Sequence, residues 1–204
     1  MVETAILLAF IPASLALNVT PGPDMLFCLG QGMSGGPRAG LSAAAGVALG
    51  GMGHALAAGL GLAALVAAWP AAFETIRWLG VAFLLWVAWR ALRDPLGAQS
   101  AAPIRPARAF RDGVLCNLTN PKVALFMLAF LPQFVRPEGD VLAQFLFLGA
   151  IIAAGGLLVN GSVGAFAGGI GRRLTASPAL ERATRVLTAT LFGALALRLA
   201  FDKR

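Results

Sequence analysis

Charged residues are so sparse along this chain that the gaps between them outline its elements. None occurs between Glu3 and Asp24, none from Ala39 to Phe73, and none from Val141 to Gly171. Within these runs the apolar residues follow one another without two-residue alternation, which predicts helices and not barrel strands. The first run stays apolar to about Gly35. Three further apolar segments cover roughly 71–92, with Glu74 and Arg77 near its start, 112–135, with Lys122 as its only interior charge, and 180–201. A bilayer span needs about 20 predominantly apolar residues. The pattern therefore predicts an all-α fold, a polytopic membrane bundle of six transmembrane helices with little room for anything else.

Residues 94–110 differ in character. They carry Pro95, Pro103 and Pro106 among alanine, serine and arginine, which reads as a linker. It divides the chain into a first three-helix unit, 1–93, and a second, 111–204.

Composition agrees with the pattern. The 204 residues are 58% hydrophobic and 12% charged, against roughly 25% charged in a soluble domain. The apolar surplus must face a lipid bilayer. A net charge of +7 would suit nucleic acid, but the basic residues sit mainly in short connections between apolar runs, so no nucleic-acid partner is expected. With six spans, loops one, three and five hold ten Lys and Arg residues against five on the opposite side. That places the odd loops and the linker in the cytoplasm and both termini outside. The start, Met1-Val2-Glu3, lacks a basic n-region, and the following run reads as a first helix instead of a cleaved signal. The 25 glycines are spread through the predicted helices, where small residues let backbones approach; an apolar bundle of this kind also suits a homodimer. Cys28 and Cys116 have neither metal-site nor redox spacing and read as small packing residues.

Two motifs carry the chemistry. Residues 18–27 read NVTPGPDMLF and residues 117–126 read NLTNPKVALF. At a constant offset of 99, Asn18 matches Asn117, Thr20 matches Thr119, Leu26 matches Leu125 and Phe27 matches Phe126. An odd number of spans separates the copies, so they enter the membrane from opposite sides, as inverted repeats of secondary transporters do. Proline withdraws a backbone donor and breaks a helix, yet suits the first position of a new one after an Asn or Thr cap. Asn120-Pro121 fits that pattern, as does Thr20-Pro21 or Gly22-Pro23. Pro121 lies ten residues beyond Arg111, about 15 Å along a helix, which is near the bilayer midplane.

Half-helix N-termini carry partial positive charge and favour carboxylates. Two of them at one cavity would bind an anionic group, with Asn18, Thr20, Pro21, Gly22, Pro23, Asn117, Asn120 and Pro121 shaping the site. Asp24 would hold an ammonium group. Lys122 would hold a carboxylate or pair with Asp24. The plainer alternative makes the prolines kinks and Asp24 a helix-dipole partner, but ionisable groups at this depth cost roughly 2.5–3.5 kcal/mol on insertion scales and usually have a functional reason. His54, the single histidine, stands mid-membrane and joins Asp24 as a proton-coupling candidate, or else is a neutral histidine bonded between helices. Asn160 is a weaker cavity-lining candidate. Glu74 and Arg77 suit a structural pair, and Trp69, Trp78, Trp86 and Trp89 an interfacial belt. No Ser–His–Asp set, metal-ligand cluster, Walker motif or dinucleotide-binding turn occurs in the sequence. Neither catalysis, a cofactor nor a metal is expected.

The stretch from Asn18 to Met33 with Ser34-Gly35-Gly36 and Arg38-Ala39-Gly40-Leu41, and that from Phe110 to Pro137, resemble the two signatures of the LysE/RhtB translocators. The ends of segments three and six are also similar to theirs. The resemblance implies export of amino acids or related small solutes from the bacterial cytoplasm, by proton antiport across the inner membrane. The motif residues carried over are Pro21, Gly22, Pro23, Asp24, Asn117, Asn120, Pro121 and Lys122, and His54 matches a histidine often found in segment two. The chain departs from the pattern in lacking tyrosine, with Phe83 where one is common, and in Ala196 where glycine is usual. A non-transporting membrane subunit and a passive channel are the alternatives.

Overall fold

The computed structural model describes residues 4–68, 78, 81–82, 85–86, 88–89, 92–93, 105–167 and 177–201. Every regular element among the described residues is helical. Helix α1 spans Thr4–Val19 and α2 spans Pro23–Ala68, bent at Gly36. Helix α3 is Pro106–Leu118, and α4 is Pro121–Leu125, which runs on as a π turn, Phe126–Phe130, and a 3-10 turn, Leu131–Phe134. Helix α5 is Val141–Ala165 and α6 is Pro178–Phe201.

Each interruption has a local cause. Pro21 and Pro23 lack the N–H groups that would have reached Leu17 and Val19, so α1 stops; Pro23 then opens α2, with Asp24 in its first turn. Asn120 caps α4 by accepting from the Lys122 amide at 3.0 Å, and Pro121 takes the first helical position. The chain bends by 53° between Pro106–Leu118 and Lys122–Phe134. Gly36 has φ 77° and ψ −178°, a region open essentially to glycine alone. It separates the arm 23–35 from the long arm that follows. Asp140 caps α5 through the Ala143 amide at 2.9 Å, and buried Gln144 ties the preceding turn by bonding both the amide and the carbonyl of Arg136, at 2.9 and 3.0 Å.

The long arm of α2 packs against α3 and α5, while α1 packs against α5 and α6. Several of the α2 contacts are backbone to backbone. A Cβ on Gly46 would lie 1.9 Å from the Phe110 carbonyl oxygen, and one on Gly113 would lie 2.4 Å from that of Ala43. Gly32 and Gly40, four residues to either side of the Gly36 bend, both abut the carbonyl of Gly164. An aromatic row, Phe126, Phe130, Phe134 and Phe10, with ring centroids 4.8–5.2 Å apart, fixes the π and 3-10 turns against α1.

One expectation changes. Helix α3 begins at Pro106, because a proline suits a first helical position, so the expected linker 94–110 gives up its last residues to a helix; residues 94–104 lie outside the described ones. Among the described residues, Pro23–Gly61 and Val141–Ala165 are long and apolar enough to cross a membrane, and the bent pair Pro106–Leu118 with Lys122–Phe134 makes a third if it is one span. Segment three falls mostly outside the described residues, as do Trp69, Glu74 and Arg77. Trp78, Trp86 and Trp89 are exposed, and the Arg93 guanidinium lies 4.8 Å above the Trp89 ring.

The close crossings set an expected contrast. Gly46→Val should lower stability in detergent by about 1–3 kcal/mol, seen as a lower unfolding midpoint. Gly61→Ala, with nothing within 4 Å of the added carbon, should raise stability by up to about 1 kcal/mol.

Candidate functional site

The two interruptions meet. Asp24, in the first turn of α2 and 6% exposed, accepts a 2.8 Å hydrogen bond from the Asn117 Nδ2 near the end of α3. Its other oxygen accepts a 3.7 Å contact from the Cys116 thiol. From the long arm of α2, His54 reaches the Asn117 carbonyl at 3.0 Å. A carbonyl only accepts, so this contact assigns the hydrogen to Nε2. The amide of Asn120 bonds the same carbonyl at 2.9 Å.

Lys122 does not pair with Asp24. Its Nζ donates to the carbonyls of Thr20 at 3.0 Å and Leu17 at 3.3 Å, across the junction on α1. Gly22 lies beside it: a Cβ there would stand 2.9 Å from Nζ and 3.3 Å from Cε. Asn18 crosses to α5, donating to the Ile152 carbonyl at 3.1 Å in a notch left by Gly155 and Gly156. The Thr20 hydroxyl turns back onto its own helix, to the Ala16 carbonyl at 2.6 Å.

Between these groups lies a cavity of about 30 Å³ whose polar lining comprises Asn18, Thr20, Asp24, Asn117, Lys122 and Asn160. Leu17, Met25, Val47, Val123 and Ile152 are among its apolar walls. Six of the expected site residues thus converge on one space. Pro21, Gly22, Pro23 and Asn120 help build the breaks and do not line it, and Pro121 opens α4. His54 stands behind Asn117, outside the lining. Hydrogen-bonding capacity is left over: Asn117 Oδ1 and Asn120 Nδ2 are buried without a partner. Gln31, which the motifs did not flag, is 3% exposed with an unpartnered Oε1. It lies seven residues beyond Asp24, with Cys28 between them at helical spacing, the pattern that would have revealed a buried polar face on α2.

Residues 15–203, which include both breaks and every lining residue named above, match the family of LysE type translocators. The chain belongs to the LysE family. An uncharacterized membrane protein of Vibrio cholerae is 32% identical over 91% of this chain and 92% of its own length. A homoserine/homoserine lactone efflux protein of Salmonella typhimurium is 32% identical over 69% of this chain and 70% of its own. A leucine efflux protein of Klebsiella pneumoniae is 34% identical over 63% and 62%. No solved structure matches the chain. As a LysE translocator with long apolar helices, the protein resides in the bacterial inner membrane.

The Asp24–Asn117 bond is open to direct measurement. Asn117→Ala should destabilise by about 1.5–3 kcal/mol, the worth of a hydrogen bond to a buried charged group. Adding Asp24→Asn should cost less than the two single changes summed. A strictly additive double mutant in denaturation would mean that the bond contributes nothing.

Proposed function

We propose that this protein is a secondary transporter that exports amino acids or related small solutes from the cytoplasm. The observation that carries the reading is a carboxylate, Asp24, and an ammonium, Lys122, lining one buried cavity without pairing to each other. An amino acid bears the complementary pair of charges. Its ammonium would sit against Asp24 and the unpartnered Asn117 Oδ1. Its carboxylate would face the remaining N–H of Lys122 and the amides of Asn18 and Asn160. Pro21, Gly22, Pro23, Asn120 and Pro121 keep the two breaks open so that these groups meet. The relatives named for efflux of homoserine and of leucine support this substrate class.

Ligand pockets run roughly 300–1,000 Å³, far more than the 30 Å³ found between these helices. Entry of a solute therefore requires the walls to part, which favours alternating access. In this reading the units 1–93 and 111–204 are inverted three-span repeats, six spans in all with both termini outside, that rock about the paired breaks. Antiport follows if a proton and the solute's ammonium take turns on Asp24. His54, tied to the carbonyl of the residue that holds Asp24, is the second candidate for that coupling. The protein moves its solute unchanged and is not an enzyme.

Cells preloaded with labelled leucine or homoserine should lose it faster when they express the protein, and Asp24→Asn should return the loss to the rate of cells without it. Efflux unaltered by Asp24→Asn would remove Asp24 from the mechanism. Flux that persists in the presence of an uncoupler would indicate a channel instead.

A further inference from the structure

Helix α1 ends with carbonyls that its own chain cannot satisfy. The donor that would reach Leu17 is the nitrogen of Pro21, which has no hydrogen. Thr20 itself still bonds Ala16, so the deficit begins one residue later. In hydrocarbon an unsatisfied carbonyl is strongly disfavoured, because no water can reach it. The partner that arrives is a cation, the Lys122 ammonium, 3.3 Å from the Leu17 oxygen and 3.0 Å from that of Thr20. Space for it exists because residue 22 is glycine: a single added carbon would press on Nζ at 2.9 Å. In carriers with broken helices, the C-terminal ends of half-helices and unwound carbonyls are where free coupling cations bind.

We infer that the carbonyls of Leu17 and Thr20 form a monovalent-cation site, and that Lys122 is a tethered ammonium filling it from the opposite half of the chain. Proline at 21 withdraws the donor of the Leu17 carbonyl, the break after it leaves the Thr20 carbonyl to Lys122, glycine at 22 opens the slot, and the lysine replaces an ion that would otherwise be drawn from solution. The site lies beside the solute cavity, where Asp24 is the facing carboxylate, and it holds the two breaks together. Lys122 thus fills this site with two of its N–H groups while the third faces the solute cavity, and its charge need not leave during the cycle. For transport this inference rests on the exporter reading. The cation site itself does not.

The test uses the full-length protein, purified and reconstituted in liposomes, with exchange of labelled leucine or homoserine as the readout. Wild-type exchange should be the same in sodium chloride and in choline chloride. Lys122→Ala should reduce exchange about tenfold or more in choline, the loss expected for hydrogen bonds to a charged group. Methylammonium or ammonium should restore it saturably, because either ion donates to the same two carbonyls, whereas choline has no N–H. In detergent, methylammonium should raise the unfolding temperature of Lys122→Ala and leave that of wild type unchanged. If the variant is recovered folded only when methylammonium is present, that supports the site; failure to recover it in either salt overturns it. A wild type that requires Na+, or a Lys122→Ala protein indifferent to ammonium ions in both exchange and unfolding, also overturns it. Absence of wild-type exchange with both solutes would sink the exporter reading, while a methylammonium-dependent unfolding temperature in Lys122→Ala would still establish the site.

Discussion

Inside a bilayer a backbone carbonyl or amide must find its partner within the protein, and this structure is organised by the one place where two helices decline to supply their own. Prolines interrupt the chain after Val19 and after Leu118, and the groups they free answer each other. Lys122, on the far side of the second break, bonds carbonyls on the near side of the first. Asn117, just before the second break, bonds Asp24 just after the first. Neither junction is self-sufficient, so the halves of the chain are held together by their defects. This mutual repair leaves polar groups over, Asn117 Oδ1 and the side-chain amide of Asn120 among them.

The surrounding helices serve that meeting by coming unusually close. Glycines on α2 and α3 place backbone against backbone, which suits a medium in which association gains little from the hydrophobic effect. Asn18 depends on the same device, since its amide lies in the notch that Gly155 and Gly156 leave on α5. Bulk is concentrated instead around the π and 3-10 turns, where four phenylalanines pack in a row from α4 to α1.

Much of this was legible in the sequence, for a reason that differs from residue to residue. Proline's missing hydrogen is a covalent fact, so both breaks and the Asn120 cap followed without tertiary information. Asp24 and Lys122 were conspicuous because ionisable groups are rare at that depth. Their partners were not legible: which carbonyl an ammonium reaches depends on how α1 and α4 cross, and local spacing does not encode a crossing. Gln31 and Gln144 passed unnoticed because a single amide in an apolar run has no signature until its burial is known; one proves to be unpartnered and the other to tie a turn. The start of α3 inside the expected linker shows that a proline-rich stretch marks helix starts as readily as loops. The segments 71–92 and 94–104, largely beyond the described residues, leave the six-span count resting on hydropathy.

Beyond the matched pair Phe27 and Phe126 the halves take different backbones. The first continues as ordinary α-helix up to Gly36, while the second widens into a π turn over Phe126–Phe130. A π turn holds more residues than the α turn it replaces, so the second half carries slack in its winding that the first does not. Returning one residue to regular pitch would swing everything beyond it by about 100°, enough to turn a different ring toward α1. The two halves, similar in their broken motifs, are therefore unequal in compliance: one is a stiff strut and the other an adjustable one.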